Sequence, residues 1–248
     1  MKTICVYADE GVCPISLKCL WKALHDEELC QNFILKKTDS QSLIRDAWEE
    51  TTQLVIVPGG RDIYYHRALE GVGNAKLRSF VQQGGSYLGL CAGGYYGCAD
   101  IEFELGNALE VTGDRELAFF PGKACGPAYG LGIFRYDREA GARIARLSTP
   151  LGSSAAYFNG GCAFITPEAY SNVNVLGRYC DIENSPAAIV ECKVGQGRAI
   201  LCGTHPEYSA AYLPINHPLQ PILKEVESAR KQLFSHLLAK LLLIHPKP

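Results

Sequence analysis

Along the first part of the chain, short apolar runs alternate with stretches in which apolar residues recur at helical spacing. Short apolar runs with strand character predict strands at residues 3–8, 32–36 and 53–57. Between these runs, residues 15–25 carry an apolar stripe of helical spacing, and a second helix capped by Asp39 or Ser40 extends through Trp48. This alternation of strands and helices predicts a parallel sheet, in which functional sites form beyond the carboxyl ends of the strands.

The remainder of the chain continues the pattern, with one section that is hard to interpret. It predicts a helix at residues 75–83, a strand at 86–90, strand character at 155–165, a hairpin formed by 187–194 and 198–202, and a final helix from about 221 to 243. Within the ambiguous section, residues 101–150, the stretch PGKACGPAYG at 121–130 has the composition of a loop. No linker interrupts the chain. We therefore expect one α/β domain over residues 1–248, with a mostly parallel central sheet flanked by helices and a C-terminal hairpin.

Composition narrows the classes of function. The chain is 47% hydrophobic and 20% charged with a net charge of −2, so nothing favours nucleic acid or an anionic membrane. It contains no apolar stretch of the roughly 18 residues that a membrane span needs, and its N-terminus lacks the apolar region of a signal peptide. Eleven cysteines without a C-x-x-C pair indicate neither a disulfide framework nor a metal site. We expect a cytoplasmic protein that needs no cofactor and acts on a small molecule or peptide; the sequence does not specify its oligomeric state.

One cysteine stands in a sequence context that is typical of nucleophiles. Cys91 directly follows the strand predicted at residues 86–90 and precedes Ala92, Gly93 and Gly94. Small residues there allow a sharp strand-to-helix turn that exposes the side chain beside the N–H groups of a helix start. Because most buried thiols are simply small apolar groups, the alternative interpretation is a packing cysteine.

A candidate base and its orienting group lie late in the chain, in the stretch GTHPEY. His205 and Glu207 follow the second strand of the predicted hairpin and are two residues apart, so in extended backbone both side chains point the same way. A carboxylate beside an imidazole fixes its tautomer and supports its cationic form. In isolation, the same residues are compatible with a loop histidine and a solvated charge.

Together these motifs resemble the class I glutamine amidotransferase superfamily, in which cysteine, histidine and glutamate form a triad in that order. A narrower resemblance is to the amidotransferase-like N-terminal domain of eukaryotic-type biotin-protein ligases. It depends on four stretches: PGGRD at 58–62, GLCAGGYYG at 89–97, YFNGGCAF at 157–164 and GTHPEY at 203–208. The resemblance implies a flavodoxin-like glutamine amidotransferase fold and a triad of Cys91, His205 and Glu207.

The resemblance also implies roles for further residues. Backbone groups of Gly59, Gly60 and Ala92 would stabilise an oxyanion. Candidates for substrate contact are Arg61, Asp62, Tyr95, Tyr157, Phe158 and Asn159. Several of these have a structural alternative: Arg61 and Asp62 as a local ion pair, Tyr95 as a packing aromatic, and the Asn-Gly pair at 159–160 as a hairpin or bulge.

The chain departs from both families in informative places. Tyr95 stands where glutamine-hydrolysing relatives carry glutamine, so glutamine is not implied as the substrate. The chain contains no Gly-Arg-Gly-Arg stretch of the kind that holds biotinyl-adenylate, and we expect no biotin ligation by this chain alone. The leading hypothesis is a Cys-His-Glu hydrolase that acts on an amide or ester carbonyl through a thioester. The alternatives are a non-catalytic binding or regulatory module of the same fold, including one related to biotin, and a cysteine peptidase or thiol-based stress protein.

Overall fold

A computed structural model of the protein describes residues 1–242. Its strands, in chain order, are β1 (Thr3–Tyr7), β2 (Ile34–Thr38), β3 (Thr52–Val57), β4 (Ser86–Leu90), β5 (Cys98–Phe103), β6 (Val111–Asp114), β7 (Phe120–Gly126), β8 (Arg143–Thr149), β9 (Gly152–Phe158), β10 (Ala163–Phe164), β11 (Val173–Tyr179), β12 (Ala187–Val194) and β13 (Gly197–Cys202). Its helices are α1 (Pro14–Asp26), α2 (Ser40–Arg45), α3 (Asp62–Leu69), α4 (Val72–Gln82), α5 (Ala92–Tyr96), α6 (Gln220–Glu225) and α7 (Glu227–Leu242). The predicted domain end at 248 and the predicted helix end at 243 lie outside the described residues.

All the strands belong to one large sheet that has a parallel and an antiparallel part. The parallel part has the order β2-β1-β3-β4-β13. From β13 the sheet continues through β12, β10, β7, β5 and β6, while β11 connects β12 to β8 and β9. Outside the parallel part the pairings are antiparallel except for β5 with β7. The prediction of a mostly parallel sheet therefore fits only five of the thirteen strands within residues 1–242, those of the parallel part, whereas the predicted hairpin is confirmed as β12 and β13.

Helices cover both faces of the inner strands of the parallel part, which explains why β1, β3 and β4 are buried along nearly all of their length, whereas the edge strand β2 is mostly exposed. Along β1, Cys5 and Tyr7 pack on one side with α2 to α5, whereas Ile4 and Val6 pack on the other with α1 and α7. Each large apolar side chain buried in this way contributes about 1.5–3 kcal/mol relative to an exposed one. Within residues 1–242, no helix combines the length and apolarity that crossing a membrane would require.

Two sequence predictions of secondary structure are wrong. The stretch 121–130 was expected to be a loop because of its glycines and prolines, yet most of it forms β7, which pairs with β5 and β10. Pairing on both sides overrides the local composition. The final helix is interrupted at Val226, whose backbone angles close α6 before α7 begins. The apolar stripe that predicted a continuous helix includes Ile222, which is exposed.

Candidate functional site

Cys91 occupies a strained turn between β4 and α5. Its backbone has φ 50° and ψ −105°, a conformation that a residue with a Cβ rarely adopts and that costs about 1–3 kcal/mol. The turn is fixed because the Cys91 N–H donates to the Cys202 carbonyl at the end of β13, at 2.8 Å. Its thiol lies 3.7 Å from the carbonyl oxygen of Asn159. The backbone therefore presents the thiol at the carboxyl ends of the parallel strands, as the sequence pattern predicts.

His205 and Glu207 form a buried pair beside this turn. The His205 Nδ1 and the Glu207 Oε1 are 2.7 Å apart, and the two residues are 3% and 0% exposed. The backbone N–H of His205 donates to the carbonyl of Tyr157, which fixes the start of the GTHPEY loop against the end of β9. Since Nδ1 is held by the carboxylate, Nε2 is the ring nitrogen left for proton exchange with Cys91.

Opposing effects set the protonation of His205. Burial is the largest and lowers the pKa of the imidazole, because a charged ring is poorly solvated in the interior. The Glu207 carboxylate and the Cys91 thiolate act in the opposite direction through charge and side-chain hydrogen bonds. Their combined effect outweighs burial and raises the pKa of His205 well above its ordinary value. The pair therefore stabilises an imidazolium, the form that accompanies a thiolate.

The predicted oxyanion residues differ in what their backbone groups do. Within residues 1–242, the N–H groups of Gly60 and Ala92 donate no hydrogen bond, whereas the N–H of Gly59 donates to the Ser16 hydroxyl at 3.0 Å. Gly59 instead lies against the imidazole, because a Cβ there would be 2.5 Å from Cε1 of His205. Gly60 and Ala92 border the same cavity as Cys91, and Gly59 makes room for the base.

A cavity of about 660 Å³ opens onto Cys91 and His205, within the range of sites that bind small molecules. We call it the Cys91 cavity. Five of the six predicted contact residues line it: Arg61, Asp62, Tyr95, Tyr157 and Asn159. The Arg61 guanidinium stacks on the Tyr136 ring at 3.8 Å, and the Tyr95 hydroxyl donates to the Gly160 carbonyl at 3.1 Å.

Two of the six predicted contact residues have structural partners. Asp62 borders the cavity, but its carboxylate accepts from Nε of Arg115 at 2.7 Å, so the ion pair is with Arg115 and not with Arg61. Phe158 packs in the core against Tyr129 and Tyr179. Consecutive residues of a strand face opposite sides of the sheet, so Tyr157 faces the cavity and Phe158 faces away. The assignment of Phe158 to the cavity wall is therefore corrected.

Several residues of the cavity wall were not found by sequence reasoning. Tyr208 stacks on Tyr157 with ring centroids 4.5 Å apart, and Tyr157 donates its hydroxyl to Glu139 at 2.8 Å. Glu139 also pairs with His217. These residues come from separate loops, and no local motif marks them. The one sequence signal that could have indicated Tyr208 is its position at the end of the GTHPEY stretch.

The remaining thiols provide contrasts with Cys91. All eleven cysteines lie within the described residues and are unpaired; Cys180 is exposed. Cys125, which lies in the glycine- and proline-rich stretch 121–130, is 3.6 Å from the Glu102 carboxylate. Burial, followed by that carboxylate, raises the pKa of Cys125 to about 11, which disfavours its thiolate. Among residues 1–242, no group of three or more His, Cys, Asp or Glu side chains is arranged to hold a metal ion.

Solved structures share the overall fold at low sequence identity. A protein from Bacteroides uniformis described as ThuA-like superposes with a TM-score of 0.52 and 9% identity, covering 93% of this chain and 91% of that one. A cytoplasmic protein of Salmonella typhimurium LT2 gives a TM-score of 0.51 and 13% identity, with coverages of 97% and 99%. At these identities the likeness concerns the fold alone.

Sequence relatives are much more similar. An uncharacterized protein of Chlamydia muridarum is 42% identical over 211 residues, which are 84% of this chain and 81% of that protein. The biotin–protein ligase of Schizosaccharomyces pombe is 41% identical over 224 residues, 87% of this chain but 34% of the ligase, so the chain corresponds to about a third of that enzyme. The family model for the N-terminal region of biotin-protein ligases matches residues 2–247. The chain therefore belongs to the family of biotin-protein ligase N-terminal domains.

Proposed function

We propose that the protein is a cysteine hydrolase or acyltransferase that cleaves an amide or ester through a thioester on Cys91. The observation that carries the proposal is the buried His205–Glu207 pair, 2.7 Å apart, beside a strained cysteine that opens into a cavity. Folds keep such strain where it serves a function. A cysteine that merely packed would need neither the turn nor a buried imidazole held by a carboxylate beside it.

The proposed reaction has two stages. His205 Nε2 takes the proton of the Cys91 thiol, and the sulfur attacks the carbonyl carbon of the substrate. The carbonyl oxygen becomes an oxyanion that the N–H groups of Gly60 and Ala92 stabilise. When the carbon–nitrogen or carbon–oxygen bond breaks, the imidazolium gives its proton to the leaving group. Water, deprotonated by His205, then attacks the thioester, which releases a carboxylic acid and restores the thiol.

The chemistry fits the superfamily suggested by the sequence motifs. We propose that residues 1–248 form one flavodoxin-like domain of the class I glutamine amidotransferase type, with its nucleophile at the end of β4. Tyr95 in place of glutamine argues for a substrate other than glutamine. The name of the ligase relative suggests a link to biotin, in which this domain would act beside the ligase or in trans, without ligating biotin itself.

Acyl-enzyme capture tests the proposal. The protein is mixed with a panel of activated esters, anilides and short peptides, quenched in acid and mapped by mass spectrometry. We expect p-nitrophenyl acetate to release a burst of one p-nitrophenolate per chain and to leave an acetyl group on Cys91. The Cys91→Ala variant is expected to lose both, and Cys180→Ala, which removes an exposed thiol, to keep both.

Two results would overturn the proposal. One is the absence of any Cys91 adduct across the panel, which would favour a binding module. The other is equal turnover by wild type and Cys91→Ala, which would place the chemistry elsewhere.

A further inference from the structure

One wall of the Cys91 cavity is a continuous series of aromatic rings. Tyr95, Phe103, Phe134 and Tyr136 follow one another with centroid separations of 5.7, 5.4 and 4.9 Å. Successive planes are nearly perpendicular, at 86°, 79° and 89°, the edge-to-face geometry that stabilises aromatic pairs. The series starts on α5, directly after the nucleophile, and ends where the Arg61 guanidinium covers Tyr136.

A second group of rings surrounds the base. Tyr157 and Tyr208 are stacked, with 16° between their planes, and His205 lies 5.9 Å and 4.7 Å from their centroids. Both tyrosines line the same cavity as the first series. Aromatic rings therefore lie both beside the base and along one wall of the cavity that the thiol faces.

The hydroxyl groups of two of these tyrosines already form hydrogen bonds within the protein. The Tyr95 hydroxyl donates to the Gly160 carbonyl and the Tyr157 hydroxyl donates to Glu139. A hydroxyl that donates in this way has no further proton to give to a ligand, so toward a ligand these tyrosines present their ring surface and an acceptor oxygen. Gly126 makes room for this arrangement, since a Cβ there would lie 1.9 Å from the Tyr95 hydroxyl.

We infer that the substrate of this site is an amide or ester of a bulky, apolar, ring-bearing carboxylic acid, whose acyl group contacts the aromatic series. The inference rests on the proposed function. The aromatic series forms the apolar part of a cavity of about 660 Å³ that charged residues such as Arg135, Asp137 and Arg138 also line, and burying an apolar group against these rings is favourable. A small acyl group would leave the rings of this series hydrated. Phe134 is the specificity-determining residue, because it lies in the middle of the series.

A pair of esters with the same leaving group tests the inference. The kcat/KM is measured for p-nitrophenyl acetate and p-nitrophenyl 3-phenylpropionate, each divided by its rate of hydroxide hydrolysis. Since each extra methylene in an apolar pocket is worth about 10-fold or more, we expect wild type to favour the phenylpropionyl ester by at least about 10-fold. Phe134→Ala is expected to lower this preference at least about fivefold. Phe33→Ala, which removes a half-buried ring packed on the core cluster of β1 and α7, is expected to leave it unchanged.

The outcomes separate this inference from the proposed function. If the acetyl ester acylates Cys91 but the normalised preference is near unity, the inference is overturned and the proposed function stands. The inference is likewise overturned if Phe134→Ala and Phe33→Ala change the preference equally, because Phe134 would then act only through stability. If neither ester acylates Cys91, the inference is overturned, and the proposed function fails as well when no other member of the panel leaves an adduct on Cys91.

Discussion

Replacing Gly93 with alanine is expected to lower the free energy of unfolding by about 3 kcal/mol or more, the upper part of the range for overpacked cores. Gly93 lies in α5, where a Cβ would be 2.0 Å from the Val57 carbonyl oxygen and 2.8 Å from its carbon. Both atoms belong to the backbone of β3 in the centre of the sheet, so they cannot move aside as a side chain would. The helix must therefore shift away from β3, which distorts the strained turn that presents Cys91.

Urea denaturation followed by circular dichroism measures this change, and Gly177→Ala is the matched control. Gly177 lies in β11, where the nearest atom to an added Cβ is the terminal Cδ1 of Ile189, at 3.1 Å. Because that side-chain end can move, we expect the control to change stability by less than about 1 kcal/mol. Equal stability of the Gly93→Ala variant and wild type would show that close packing of α5 on β3 does not hold the turn.

Exchange of Glu207 for glutamine is expected to reduce turnover through Cys91 by about 100-fold or more, the range lost when a base is no longer correctly oriented and charged. Glutamine keeps the size of the side chain but removes its charge, and at 0% exposure no solvent replaces that charge. Burial is the largest single effect on the pKa of His205 and lowers it. The charge of the Glu207 carboxylate is the next largest effect and raises it. Its loss is therefore expected to lower the pKa of His205.

Two experiments measure these effects. Steady-state kinetics with the ester that acylates Cys91 gives the turnover, and an NMR titration of the His205 ring gives its pKa. Glu191→Gln is the control: Glu191 is also a buried carboxylate, and it pairs with Lys240 at 3.0 Å outside the Cys91 cavity. We expect this control to keep the wild-type turnover within about twofold. A Glu207→Gln variant that retained both turnover and the His205 titration would contradict the orienting role of the carboxylate.

The main features of the site could be predicted from sequence because each depends on a local signal. Cys91 follows an apolar strand and precedes small residues, and His205 follows another such strand. Parallel strands meet at their carboxyl ends, so two strand-end motifs converge even when more than a hundred residues separate them. The strand order places β4 directly beside β13, which brings the two motifs together.

The rest of the site depends on contacts that local pattern does not encode. Ser16, which accepts from Gly59, comes from the first turn of α1, and Glu139 comes from the segment between β7 and β8. To assign Phe158 correctly, one must know which face of β9 each side chain occupies, and not only that β9 is a strand. The register of the strand decides whether Tyr157 or Phe158 faces the cavity. The stretch 121–130 looked like a loop because pairing with β5 and β10 is a property of the whole sheet.

The central claim is that His205 activates Cys91. Its most direct test is the rate at which iodoacetamide alkylates each cysteine near neutral pH, measured by peptide mapping. Cys91 is 7% exposed, while Cys180 is exposed and serves as the internal reference. We predict that Cys91 reacts faster than Cys180 in wild type, and that His205→Ala slows Cys91 by at least about tenfold without changing Cys180. Alkylation of Cys91 that is slower than that of Cys180 and unaffected by His205→Ala would contradict the account.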